Sequence, residues 1–257
     1  MDEKQPDSID NRYVAFFDIL GMSDLILQNH PKAWDVLSRL SRAMEAGLQR
    51  VKFAVASEGK TPTPELEYKA ADYIRHFRFS DSVLMFTHGE TAPDLLSIVS
   101  FCSQLFAHAF QLCVPLRGAI VHGEFWFNLE HNLFSGPALV RAYRSADEPQ
   151  WLGVTVDDTV STNMTPYLNP SSLVSPICEW DLKVKNEIQP KRLKVLDWIT
   201  SIKGSFKVGK PLDDRQLYDT GFQKIFGPFE NLCKSARQIC NYRSLHQLKT
   251  FVNRVRA

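Results

Sequence analysis

The apolar residues in the first half of this chain switch between two periods in a set order, and that order leaves few folds open. Tyr13 to Ile19 is an aromatic and β-branched run of strand type, and Leu20-Gly21-Met22-Ser23-Asp24 supplies a turn with a candidate helix cap. Beyond a break at His30-Pro31, Val36, Leu37, Leu40, Met44, Leu48 and Val51 recur at helical spacing. Tyr73 to Phe79 and Ser82 to Phe86 read as two strands meeting at a tight turn at Ser80-Asp81. A second helix runs through Leu95, Leu96, Val99, Cys102, Phe106, Ala109 and Leu112, Pro115 stops it, and Leu116 to His122 is a further strand. The order βαββαβ predicts an α+β fold of ferredoxin-like type, an antiparallel sheet with both helices on one face.

Past this core, Leu133 to Arg144 opens with Gly136-Pro137 and continues as a helical turn, while Leu152 to Val156 and Leu193 to Trp198 are strand-like. Apolar residues from Leu232 to Val255 predict terminal helices. The expected division is a frayed polar tail over 1–11, a folded domain over 12–200 and a C-terminal helical extension over 201–257, with a surface loop at Ser57 to Pro64. A net charge of +1 argues against a nucleic-acid-coating protein. Leu95 to Val114 is interrupted by Ser97, Ser100, Ser103, Gln104 and His108, so a packed helix is expected there and no membrane span. Scattered cysteines without C-x-x-C spacing predict reduced thiols in a cytoplasmic protein, and neither they nor the histidines have zinc spacing.

Two acidic residues close apolar strand runs: Asp18 in Phe16-Phe17-Asp18-Ile19 and Asp81 in Phe79-Ser80-Asp81-Ser82. A carboxylate beside a buried aromatic run is costly unless a cation meets it. In a βαββαβ sheet the first and third strands are antiparallel neighbours, which sets the end of one beside the start of the other. Chain order alone therefore brings Asp18 and Asp81 together and predicts a shared metal position.

The segments FFDILGM, FRFSDSV, LRGAIVHGEFW and SGPALVRAYRSADE, in that order, resemble the catalytic core of class III nucleotidyl cyclases, and within it the pyrimidine cyclases of the bacterial Pycsar anti-phage system. The resemblance spans about Tyr13 to Val156. It implies a homodimer with sites across the subunit interface, and two divalent ions per site, Mn²⁺ or Mg²⁺, held by Asp18, Asp81 and the carbonyl of Ile19. It also implies that Leu20, Gly21 and Met22 offer backbone groups to the triphosphate and that Phe17, Phe77 and Tyr73 lie at the nucleotide. Arg144 matches an arginine that reaches the partner's site, while Val140 stands where purine cyclases carry an asparagine.

Purine cyclases read the base with polar side chains at the positions of Phe77 and Leu133. Two apolar groups cannot satisfy a purine edge. The implied reaction is UTP to 3′,5′-cyclic UMP and pyrophosphate, with Tyr73 or Tyr143 as hydrogen-bonding partners of the base and the product acting on a separate effector in anti-phage defence. A cytidylate cyclase, a purine cyclase and a catalytically silent nucleotide sensor remain open beside it. Arg144 could instead form a surface ion pair with Asp147 or Glu148, and Arg141, one turn away, could take its role. Lys183, Lys185, Lys191 and Lys194 read as a solvated edge from which one lysine could bind the triphosphate. No nucleic-acid or membrane partner is expected: the stacking residues of an RNA-binding sheet are absent.

Overall fold

In the computed structural model, residues 6–47, 50–53, 66–111, 114–149, 151–167 and 176–197 are described. The expected C-terminal helices, the loop at Ser57 to Pro64 and Leu48 lie outside them. Strand β1 (Ser8–Ile19) is the centre of the fold, and from Arg12 to Ile19 it is buried or half-buried on both faces. It pairs antiparallel with β5 (Ser82–Thr87) on one side and β6 (Leu116–Asn128) on the other, and β4 (Ile74–Phe79) completes the edge beside β5. The spatial order β4-β5-β1-β6 is that of the expected βαββαβ unit.

The two crossover helices α2 (His30–Gly47) and α3 (Ala92–Gln111) pack on one face of this sheet, as expected. Ala33, Val36, Leu40, Ala43 and Met44 form the apolar stripe of α2, and α3 is buried on most of its circumference from Leu95 to Ala109. Alternation along β1 sends Tyr13, Ala15, Phe17 and Ile19 into this core. Thr91 and Asp94 start α3 as a reciprocal cap, Asp94 accepting the Thr91 N–H at 3.0 Å.

The opposite face carries a second core, in which Val14, Leu84, Phe86, Val121 and Phe125 meet Ala138 and Ala142 of α4 (Pro137–Asp147). Three alanines, Ala138, Ala142 and Ala146, are buried along one side of α4, letting the helix lie close over β1 and β6. Pro137 takes its first turn, where a missing N–H costs nothing.

Several boundaries differ from expectation. β1 begins at Ser8, inside the expected tail, because Ser8 to Asn11 pair with Glu124 to Phe127 and the ladder outweighs their polar composition. Val51 is not on the first long helix, which is described to Gly47; it lies in β2 (Arg50–Phe53), paired with β3 (Leu66–Lys69) in a separate two-stranded sheet. The short helix α1 (Met22–Gln28) is capped from within the expected turn by Gly21 in the left-handed region, φ 73°, with no side-chain cap hydrogen bond. Leu133 to Ser135 is not helical but forms β7 against β6. The sheet continues through β8 (Gly153–Val156), which is parallel to β6, to β10 (Lys191–Leu196) and β9 (Ile177–Leu182), so among the described residues it is antiparallel with one parallel pair. Between β8 and β9, α5 (Asp158–Met164) is capped by Asp157, which accepts the Val160 N–H at 2.9 Å.

Candidate active site

Asp18 sits one residue from the end of β1, and its register partners are Ser82 on β5 and Arg117 on β6. The β4–β5 hairpin closes in two residues, Ser80 with φ 53° and Asp81, and the Asp81 carbonyl accepts the Ile19 N–H at 3.0 Å. The two carboxylates expected to share a cation are thereby brought to one corner of the sheet. Burial pushes the Asp18 carboxyl above the usual carboxylate value; Arg117 pulls it back by hydrogen bond and charge, and the charges of Asp81 and Asp147 add to the rise.

Arg117, unmarked by the sequence reading, is the cation that meets Asp18. Its Nε and Nη2 donate to Asp18 Oδ2 at 3.0 and 2.8 Å, and Nη2 also lies 2.7 Å from Asp147 Oδ1. Asp147, at the end of α4, accepts from Lys185 Nζ at 2.7 Å with both oxygens. Burial raises the Asp147 carboxyl, but Lys185 and Arg117 outweigh it and hold the group below its ordinary value. Lys185 is thus an ion-pair partner that still stands at a solvent-exposed edge, and Lys194 pairs with Asp158 at 3.1 Å.

The nucleotide-binding residues implied by the resemblance divide. Phe77 lies on the Asp18 face among aromatic rings, its centroid 4.5 Å from Phe134 and 5.9 Å from Phe86. Phe17, Leu20 and Met22 are buried in the α2–α3 core, so their side chains face away from Asp18 and only their backbone groups can serve a ligand. The Leu20 N–H is already donated to the Pro115 carbonyl at 2.9 Å. Tyr73 precedes β4, at the far end of the hairpin from Asp81, and packs against the same α2–α3 core. It is not brought to the site. Tyr143 is: its ring meets Phe16 edge-on at 5.4 Å, and Phe16 is on the Asp18 face of β1.

Arg144 is exposed on the side of α4 opposite Ala142 and Ala146, so its guanidinium points away from its own sheet. Among the described residues it has no side-chain partner, and Asp147 is taken by Arg117 and Lys185. Arg141 is engaged elsewhere, with the His122 carbonyl and with Asp157 at 3.7 Å. Val140 and Tyr143 on α4, with Phe79 at the end of β4 and Leu133 on β7, stand about half-exposed, and Leu133 pairs with Asn128 at the opposite end of β6 from Arg117. The described residues contain no cluster of three or more His, Cys, Asp or Glu suited to a metal. No described helix is long and apolar enough to cross a membrane.

No protein-family model and no curated protein matches the chain. Solved structures to which it is similar include the catalytic core of a rhodopsin-guanylyl cyclase with converted specificity in complex with ATPαS, with a TM-score of 0.45 and 12% identity over 74% of this chain and 96% of that one. A bacterial light-regulated adenylyl cyclase is similar with a TM-score of 0.43 and 10% identity over 76% of this chain, which spans 52% of that protein's length.

Proposed function

We propose that this chain is a nucleotidyl cyclase, acting as a homodimer, that converts UTP to 3′,5′-cyclic UMP and pyrophosphate. The observation that carries the proposal is the meeting of Asp18 and Asp81 at one corner of the sheet. Two carboxylates and a main-chain carbonyl are an all-oxygen donor set of the kind that holds Mg²⁺ or Mn²⁺ together with substrate phosphates. When bound, such ions lower the pKa of the ribose 3′-hydroxyl and neutralise charge on the triphosphate.

The chain's own residues supply position and charge. Asp18, Asp81 and the carbonyl of Ile19 are the proposed cation ligands, and a bound cation would favour the charged form of the Asp18 carboxyl, which burial, and after it the charges of Asp81 and Asp147, push upward. Gly21, left-handed at the entry to α1, allows close approach of the chain to phosphate. Arg144 cannot fold back on its own sheet, which supports a role across a subunit interface built on the exposed apolar residues of α4. There its planar fork would stabilise charge growing on the α-phosphoryl group, and its loss would cost about 100- to 1,000-fold in rate. Phe77 and Leu133 present no polar group to a base, which favours a small pyrimidine, with Tyr143 as the hydrogen-bonding partner. By the resemblance, the cyclic product signals phage infection to a separate effector.

Purified protein incubated with each of the four ribonucleoside triphosphates and Mn²⁺, with products resolved by mass, tests the proposal. Cyclic UMP is expected, and neither Asp18→Ala nor Asp81→Ala should form it. Cyclic CMP as the main product would move the substrate to CTP, and cyclic AMP or cyclic GMP would overturn the pyrimidine assignment. Triphosphate binding without turnover would replace the enzyme by a sensor.

A further inference from the structure

A single nitrogen in this site, Nη2 of Arg117, serves two carboxylates, lying 2.8 Å from Asp18 Oδ2 and 2.7 Å from Asp147 Oδ1. The rest of the guanidinium is divided the same way: Nε donates to Asp18 at 3.0 Å and Nη1 to the Asp147 carbonyl at 3.1 Å. The side chain is 16% exposed, so its charge cannot leave one carboxylate for water without a desolvation imbalance. Asp147 is itself held in place. Both its oxygens accept from Lys185, whose own N–H donates to the Glu148 carbonyl at 2.9 Å, and Pro149 bridges to Val184 beside it.

Asp18 therefore has a resident cationic partner, and the proposed divalent cation needs the same carboxylate. A cation there would repel Arg117 strongly at this range. The same nitrogen already touches a second carboxylate, so its release requires a shift of the fork and no excursion into solvent.

We infer that Asp147 is a positioning residue for Arg117: it takes up the guanidinium when a divalent cation occupies Asp18, and so keeps Arg117 from competing for the metal site. This rests on the metal-site reading above. Removing the Asp147 charge would leave Asp18 as the one carboxylate facing Arg117, with only the Asp147 main-chain carbonyl still holding Nη1. Metal affinity would then fall for a reason that disappears once Arg117 is gone.

The test is a titration of full-length protein with Mn²⁺ alone, free Mn²⁺ being read by electron paramagnetic resonance, on wild type, Arg117→Gln, Asp147→Asn and the double variant, each checked for folding by circular dichroism. Asp147→Asn should weaken Mn²⁺ binding about tenfold, Arg117→Gln should strengthen it, and Asp147→Asn should have little further effect in the Arg117→Gln background. A penalty for Asp147→Asn that is the same with and without Arg117 would show simple loss of negative charge and overturn the inference, as would no penalty. If Asp147→Asn does not fold, Arg117→Gln alone decides, since unchanged or weakened binding there removes the competition. Failure of the wild type to bind Mn²⁺ would instead remove the metal-site reading itself, and the inference with it.

Discussion

Asp147 stands between two cations, and its carboxyl is lowered because Lys185 and Arg117 outweigh the effect of burial. A lowered carboxyl contributes stability that is present above its unfolded value, about 3.9, and is lost as pH falls through the folded one. Asp147→Asn should accordingly cost about 1 kcal/mol at pH 7, read by urea denaturation, and the gap to wild type should close in the acid range below that value. A gap that is constant with pH would assign the loss to packing. Cys178 behaves oppositely: burial, with the charge of Asp197, pushes its thiol up to about 12, and Cys102 is fully buried with its thiol raised well above the ordinary value. Iodoacetamide at pH 8 should leave both unmodified in the native protein and alkylate both after unfolding, as read by peptide mass mapping. At this scale Asp18 and Asp81 were legible in the sequence because each closes an apolar run. Arg117 was not, since what marks it is a cross-strand register with a residue 99 positions away, and no local pattern encodes that distance.

Where β6 crosses β1, Gly118 leaves room for the Phe17 ring. A Cβ built there would stand 2.6 Å from that ring and 2.8 Å from the Phe16 carbonyl. Gly118→Ala should destabilise the fold by about 1–3 kcal/mol, and because Gly118 adjoins Arg117 it should disturb the pairing with Asp18 as well. A denaturation midpoint equal to wild type would contradict this. The elements that the chain announced clearly were those with a sustained period, β1, α2, α3 and the β4–β5 hairpin. Those it hid were set by partners: β2 and β3 pair, among the described residues, with each other alone, β7 is three residues on the end of β6, and Ser8 to Asn11 become strand because β6 is long enough to receive them. Tyr73 was expected at the nucleotide as a hydrogen-bonding partner of the base. It packs into the other core, because the residue before β4 is as far from the Ser80-Asp81 turn as the hairpin permits.

The whole molecule offers Asp18 and Asp81 at a sheet corner while the guanidinium of Arg144 faces outward, so under the proposed function each subunit holds half of two sites. Co-expressed Asp18→Ala and Arg144→Ala chains, each inactive alone, should then regain about a quarter of wild-type activity through mixed dimers with one intact site. No recovery would place both residues in one subunit's site. The overall architecture was readable from segment order, whereas the base was not, because apolar residues such as Phe77 and Leu133 mark what is absent from a pocket and not what enters it. The central claim is that Asp18 and Asp81 jointly hold divalent cations, and crystals grown with Mn²⁺ and a non-cyclisable UTP analogue test it most directly. Anomalous peaks within about 2.1 Å of oxygens from both carboxylates are the predicted result; a bound analogue with no peak between the two aspartates, and Arg117 still seated on Asp18, would contradict it.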